Sequence, residues 1–317
     1  MPHNSKVKIR PKPTQILRGE VPRTQFKDSL ESVRVDLIHY PDPQTDLAAY
    51  AFQKATWMTE PYLPLKDKEH DKKLLKNLKI YAFEKKGLPL SLELYDFVFC
   101  VSGITRIVTH QIVRNRIGAT YSQQASGDKD WRHHNVLVPR SIYRNKELYH
   151  AFKRQVLEAK ILYAKMLDTM EIPVLDARRV LPHCLETFIY VKFNLVTLSS
   201  FIQKRDCVQT QDPEMVIVAR KMREVVLQKF PNLEPLLRNL CKEGKCYYTL
   251  SDRQVGTSMF IPDKDHDFEY NKNNFFYNKT VHEMVYNLPK VPSEYYIGFR
   301  KVTKTEFEIN CLKEGTE

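Results

Sequence analysis

Gly103-Ile104-Thr105-Arg106-Ile107-Val108-Thr109-His110-Gln111-Ile112-Val113-Arg114-Asn115-Arg116 is the stretch on which the reading of this chain turns. Ahead of it, Leu92, Leu94, Phe97, Phe99 and Val101 give a partly alternating pattern that predicts a strand ending at Gly103. Behind the glycine, Ile104, Ile107, Val108, Ile112 and Val113 fall at helical spacing. On a 3.6-residue helix His110 and Gln111 share a side with Arg114 while Ile107, Val108 and Ile112 turn inward, so polar donors stand beside apolar core. Gly118 is the expected stop, and Ala119 to Gly127 forms a loop rich in hydroxyls and amides, suited to a phosphate or the edge of a base. On residue types alone, a merely solvated surface helix with two arginines fits the same pattern.

Outward from this stretch the chain divides by texture into three parts. Residues 1–34 read as a basic extended arm, because Pro2, Pro11, Pro13 and Pro22 break helices and the apolar residues have no period. Residues 35–240 are mostly helical in period. Asp46 is placed as the cap of a helix through Ala55, and a second helix is predicted from Lys68 to Lys86 with Gly87 as its stop. A long amphipathic helix spans Lys146 to Met170, with Leu148, Phe152, Val156 and Ala159 as its stripe. Another spans Pro182 to Lys204, and a third opens at Asp212-Pro213-Glu214, where capping acid, first-turn proline and first-turn acid agree. Residues 241–317 hold 13 of the 33 Phe and Tyr residues and end in the strand-like Glu294 to Arg300, which predicts an aromatic, β-rich C-terminal extension.

Composition narrows the function. The 317 residues are 42% hydrophobic and 28% charged, the balance of a globular chain and not of a disordered or fibrous one. With only 9 glycines, a glycine-rich phosphate cradle is not expected. Apolar runs fall short of the ~18 residues of a membrane helix, and the first residues lack a signal-peptide core, so a cytoplasmic protein without a membrane partner is expected. The net charge of +12 lies mainly in the middle of the chain and suits an anionic partner, a nucleic acid or a phosphorylated small molecule. The six cysteines show no metal-ligand or disulfide spacing and read as thiols, and no metal site is expected.

A second constellation, Asp176-Ala177-Arg178-Arg179-Val180-Leu181-Pro182, precedes the segment bearing Asn194 and Arg205. Eleven residues at ~1.5 Å each put those two about 16 Å apart on one helix face, a reach that fits a long planar ligand. Phe188, Val191, Leu195, Leu198 and Ile202 supply the buried stripe. A core amide and an arginine at a helix C-terminus fit the same residues.

Taken together, residues 46–231 resemble the flavin-dependent thymidylate synthases. The anchors are Gly103 to Arg116, similar to the family's Gln-x-x-Arg-His-Arg segment, and Ala177-Arg178-Arg179-Val180-Leu181-Pro182 with Thr187, Asn194 and Arg205 at family spacings. The resemblance implies an α+β fold, a central mostly antiparallel sheet flanked by long helices, assembled as a homotetramer with active sites shared between subunits. It implies reductive methylation at C5 of a uracil nucleotide, dUMP first and UMP second, with FAD, NADPH and 5,10-methylenetetrahydrofolate. C5 hydroxymethylation and an inactive nucleotide- or nucleic-acid-binding homologue are the alternatives; on the main reading no nucleic-acid partner is expected.

Carried over residue by residue, FAD is expected against Thr56, Glu93, Arg114, Asn115, Arg116, Ile117, Asn194, Ser200 and Gln209. The nucleotide is expected against Gln111, Gln124, Ser126, Gly127 and Lys129, with Arg178 from another subunit. Arg205 is the expected catalytic residue at the pyrimidine ring. Its fixed cation and planar donor fork suit charge spreading onto a ring carbonyl, with no cysteine nucleophile required.

The departures from the family pattern concentrate on flavin and phosphate. Asn115 stands for a usual histidine, Val196 for a usual arginine, Gln209 for a flavin-contacting histidine, and Leu88 and Leu90 for polar residues. The substrate loop is about two residues longer than usual, and Asp128 stands where the family places a phosphate-binding arginine. At ~4 Å and an effective dielectric of ~20 an acid there costs about 4 kcal/mol against a phosphate. Either Lys129, Arg132 or the longer loop then takes that group, or the substrate differs.

Overall fold

A computed structural model describes residues 19–55, 58–59, 89–207, 211–238 and 293–312. Two strands set the frame: β3 (Asp96–Thr105) and β6 (Glu186–Asn194) pair antiparallel from Asp96 opposite Asn194 to Thr105 opposite Glu186. Flanked by β2 (Arg34–His39) on β3 and β4 (Ala119–Gln123) on β6, they form a four-stranded sheet, β2-β3-β6-β4, antiparallel throughout. The expected α+β class with a central antiparallel sheet is what the chain adopts.

The inward face follows the period of two. Phe97, Phe99 and Val101 of β3 and Thr187, Ile189, Val191 and Phe193 of β6 are buried, and each wholly buried Phe contributes about 2 kcal/mol by leaving water. Against this face pack α3 (Arg106–Ile112), α7 (Leu195–Arg205) and α8 (Pro213–Lys229), through Val108, Ile112, Leu198, Phe201, Ile202, Met215 and Met222. Gly103 breaks the pairing of β3 with β6 between Ser102 and Ile104. It has φ +65, and a Cβ there would lie 1.9 Å from the Ser32 carbonyl oxygen.

A second sheet, β5-β1-β7-β8, joins the two ends of the chain to its middle. In it β1 (Arg23–Asp28) pairs parallel with β5 (Val136–Val138) and antiparallel with β7 (Glu294–Ile297), which continues to β8 (Arg300–Val302) and α9 (Lys304–Leu312). The arm expected over 1–34 is therefore corrected from Arg23 onward, and residues 1–18 lie outside the described residues. The strand escaped notice because its inward residues are Thr24, Phe26 and Asp28, only one of them apolar. Asp28 also accepts from the Leu30 amide at 2.8 Å and starts α1 (Ser29–Ser32).

The long helix α5 (Lys146–Asp168) backs this sheet, capped by Asn145. Its inward face is Tyr149, Val156, Leu157, Tyr163 and Leu167 together with two lysines, whereas Leu148 of the expected stripe is exposed. Lys153 Nζ reaches Glu294 at 2.5 Å and Tyr296 Oη at 2.7 Å, fastening β7 to the helix. Lys160, wholly buried, donates to Thr24 Oγ1 at 2.5 Å, and burial lowers its amine to about 7.

Other boundaries also differ from expectation. The strand begins at Asp96, since Leu92 and Leu94 belong to a 3-10 turn over Pro89–Leu94. Helix α2 (Pro43–Lys54) is capped by Asp42, while Asp46 in its first turn accepts from Tyr95 Oη at 2.6 Å. The helix expected from Pro182 to Lys204 is β6 followed by α7: the i, i+3, i+4 spacing of Phe188, Val191 and Leu195 runs across a strand-to-helix junction. Helix α8 begins at Pro213 under Asp212, as its three start signals indicate. The helix predicted over 68–86 lies outside the described residues. Among the described residues no helix is long and apolar enough to cross a membrane.

Candidate active site

The first site segment leaves the sheet at Thr105, the N-cap of α3. The Thr105 amide and hydroxyl donate to Glu214 Oε1 at 2.5 Å and Oε2 at 3.2 Å, tying the start of α3 to the start of α8. Burial pushes the Glu214 carboxyl up to about 8, against the downward pull of the Thr105 amide. Helix α3 ends at Ile112, six residues before Gly118, and what was expected as a loop from Ala119 is strand β4. Ile107 is half exposed on α3 and faces the site, while Val108, Thr109 and Ile112 are the buried side.

At the other end of the site, Arg205 closes α7. Its Nη1 donates to Gln211 Oε1 at 2.7 Å and its Nη2 to the Gln111 carbonyl at 3.1 Å. Ile107, His110, Gln111, Arg114, His183, Arg205 and Gln211 line one cavity of about 570 Å³. The two distant stretches thus meet, with Gln111, Arg114 and Arg205 in one space. Gln111 Oε1 is buried without a hydrogen-bond partner among the described residues. Arg205 also pulls down on the Tyr121 phenol of β4, which burial nonetheless pushes up to about 12.

Between these stretches, Asn194 caps α7 by accepting from the Thr197 amide at 2.9 Å, and its own amide donates to Gly118 O at 2.9 Å. Thr197 Oγ1 donates to Ile117 O at 2.5 Å. Gly118 has φ +66, and a Cβ there would lie 2.4 to 2.6 Å from the Asn194 side-chain amide. Arg116 and Ile117 are thereby held open beside Asn194, Ile117 at 87% exposure. Asn115 turns its Nδ2 back to Ile112 O at 3.1 Å and closes the end of α3. Ser200 is half-buried on α7 between Asn194 and Arg205, and Glu93 is exposed in the 3-10 turn before β3. Thr56 and Gln209 lie outside the described residues.

The third group is the loop after β4. Arg178, on the turn after α6 (Val174–Ala177), donates from Nη1 to Ser126 Oγ at 3.2 Å. A Cβ on Gly127 would lie 2.9 Å from that same Nη1. Gln124 accepts from Thr187 at its side chain at 3.1 Å, and from Arg106 Nη1 at its carbonyl at 3.2 Å. Gln124, Ser126, Gly127 and Arg178 gather in one region of the chain. Lys129 sits apart, its Nζ 4.9 Å from the centre of the Trp131 ring, and burial lowers its pKa. Arg132 is not free to take a phosphate: it is fully buried against Asp130 at 2.9 Å and Asp168 at 3.1 Å.

Sequence reasoning missed His183 and Gln211 as cavity residues and gave Arg106 no role. His183 and Gln211 sit in turns, where no periodicity marks a direction. Arg106 stood in the quoted anchor, and only its contact with Gln124 reveals where it points.

Geometry of this kind, an antiparallel sheet whose strand-to-helix junctions converge on an arginine-lined cavity, defines a class of α+β enzyme. Residues 36–232 match the family described as thymidylate synthase complementing protein. The flavin-dependent thymidylate synthase of Pyrococcus furiosus is 31% identical over 213 residues, 65% of this chain and 83% of that protein. That of Clostridium tetani is 28% identical over 232 residues, 68% and 90% of the two chains. A crystal structure of the UMP/dUMP methylase PolB from Streptomyces cacaoi bound with 5-Br UMP has a TM-score of 0.49 at 16% identity, covering 68% of this chain and 94% of that one. The chain belongs to the thymidylate synthase complementing protein family, that of the flavin-dependent thymidylate synthases. Its class is that of thymidylate synthase-like methyltransferases.

Proposed function

We propose that the protein methylates C5 of the uracil ring of a free pyrimidine nucleotide, with dUMP as first substrate and UMP as second. The observation that carries this reading is the shared cavity of Gln111, Arg114 and Arg205, two arginines and an amide side chain from the two distant motifs. Arg205 is held in place by Gln211 and the Gln111 carbonyl, so its planar fork is preorganised to stabilise negative charge on a ring carbonyl. None of the four described cysteines, Cys100, Cys184, Cys207 and Cys311, lines the cavity, which agrees with activation without an enzyme thiol.

The residues suit FAD. Arg114 and Arg116 are exposed and pair with no carboxylate among the described residues, as a pyrophosphate site requires. The Gly118–Asn194 approach keeps the neighbouring Ile117 surface open where a side chain would fill it. When bound, FAD passes reducing equivalents from NADPH to the one-carbon unit of 5,10-methylenetetrahydrofolate. Arg114, Arg116, Ile117 and Asn194 hold it, Asn115 and Ser200 border it, and Gln111, Ser126, Gly127 and Arg178 hold the nucleotide. The open Arg116–Ile117 strip supports the homotetramer with shared sites, which light scattering on the purified chain tests.

Purified protein should carry or take up flavin, read as visible absorbance. Incubation with FAD, NADPH, methylenetetrahydrofolate and a panel of dUMP, UMP and dCMP, read by product mass, should show a 5-methyl uracil nucleotide. A hydroxymethyl product would replace methylation by the alternative chemistry, and protein that cannot be reconstituted with FAD would overturn the reading.

A further inference from the structure

A second cavity, of about 270 Å³, stands back to back with the one that holds Gln111 and Arg205. Ile107 belongs to both walls, and the chain passes from one cavity to the other at His183–Cys184 and again at Gln211–Asp212. Leu30, Ile107, Leu137, Pro139, Cys184 and Pro213 make the surface of the second cavity largely apolar. The Cys184 thiol, pushed up to about 12 by burial, is uncharged and adds to that wall. The charged groups of the cavity are already answered. Arg140 is held by Asp28 at 2.7 Å and by Glu31 at 3.1 Å. Glu214 accepts from the Thr105 amide, and burial keeps its carboxyl largely protonated at neutral pH. Asp212, exposed beside them, caps α8 by accepting from the Glu214 amide at 2.9 Å.

We propose that this second cavity is a ligand site for a neutral bicyclic heteroaromatic ring carrying an N–H donor, coupled to the neighbouring nucleotide cavity through Ile107. An apolar cavity of about 150 Å³ takes one benzene ring, so the larger space here takes two fused rings. An anion would meet Asp212 while Arg140 is committed to two acids, and a cation would leave water for an apolar wall. The directional group is the Asp212 carboxylate, which accepts several hydrogen bonds and so favours a ligand with a donor. The coupling follows from the shared wall. Ile107 is half exposed between the two spaces, and in a close-packed wall a ring against one side presses it toward the other. Thr105, which starts the helix of Gln111, lines the same cavity. Occupancy therefore weakens the nucleotide, and by linkage the nucleotide weakens the ring by the same factor. The coupling rests on the function proposed above; the site itself does not.

The probe is indole, a neutral two-ring heterocycle with one N–H, titrated calorimetrically into the full chain beside 1-methylindole and indole-2-carboxylate. Indole should bind. 1-Methylindole, which keeps the rings and loses the donor, should bind about two- to tenfold more weakly. The carboxylate should bind about tenfold more weakly or worse, since its charge enters an apolar space without a partner. In crystals soaked with 5-bromoindole, anomalous scattering should place the bromine between Ile107 and Leu137. Saturating indole should raise the dissociation constant of dUMP about fivefold or more, and Ile107→Ala, which thins the shared wall, should shrink that factor. No binding of indole, equal binding of all three probes, or bromine outside the cavity would overturn the site. Unchanged dUMP affinity at saturating indole would overturn the coupling and leave the site. Protein that binds neither dUMP nor UMP without indole would overturn the function proposed above and the coupling with it, while the bromine position still decides the site.

Discussion

Arg205 Nη2 donates to the Gln111 carbonyl at 3.1 Å, joining the end of α7 to the end of α3 across 94 residues of sequence. The side chain proposed to act on the pyrimidine is therefore positioned by the backbone of the helix that carries Gln111, a proposed nucleotide contact. Arg205→Ala should lower kcat by about 10²- to 10³-fold, the scale of a preorganised donor lost from a charge-developing site. Flavin absorbance should stay with the protein. Turnover within tenfold of wild type in tritium release from 5-tritiated dUMP would remove Arg205 from its role.

Gly118→Ala tests the junction of the two stretches. The φ of +66 costs an alanine about 1 to 2 kcal/mol, and its Cβ would press into the Asn194 amide at 2.4 Å, displacing the cap of α7. The variant should unfold at lower urea and bind FAD more weakly. Weakened FAD without loss of stability would show that the contact serves the ligand alone.

The residues made some of this legible. The start of α8 carries three agreeing local signals and was read where it lies, whereas β3 was recognised from Phe97, Phe99 and Val101 but begun too early, at Leu92 and Leu94 of the preceding 3-10 turn. The junction between β6 and α7 was not, because Phe188, Val191 and Leu195 imitate a helical stripe where alternating Thr187, Ile189, Val191 and Phe193 are the buried set. Strand β1 was invisible for a different reason: its inward Thr24 and Asp28 are stabilised by partners, Lys160 and Arg140, more than a hundred residues away. At the site, Gln111, Arg114 and Arg205 were named from the motifs and do share a cavity. Arg106 and the single-chain pairing of Arg178 with Ser126 needed the fold, since neither contact is local.

Lys153 and Glu294 are the fastening of β7 to α5, and Lys153 is almost wholly buried. Lys153→Met should leave Glu294 without its nearest cation and cost about 3 kcal/mol. Burial raises the Glu294 carboxyl, but hydrogen bonds from Lys153, Tyr149 and Lys301 prevail and hold it at about 2. A depressed acid stabilises the fold above its unfolded value near 4.5 and loses that contribution as pH falls through about 2. Urea midpoints of wild type should decline over that window, and those of Lys153→Met should decline less. Parallel declines would place the acid sensitivity elsewhere.

Glu214 has the opposite sign. Its carboxyl is raised to about 8 by burial, so between about 4.5 and 8 the folded chain holds a proton that the unfolded chain has released. Stability from this group is present at the acid end and falls as pH rises through that window, levelling above about 8. Glu214→Gln resembles the protonated form, can still accept from the Thr105 amide, and cannot ionise. Its urea midpoint should match wild type near pH 5 and exceed it near pH 9. Because Thr105 starts the helix that carries Gln111, ionisation of Glu214 is expected to lower kcat as pH rises towards 9, and Glu214→Gln should show a smaller decline over the same range. A constant difference between the two proteins from pH 5 to 9 would show that Glu214 does not titrate in the folded chain.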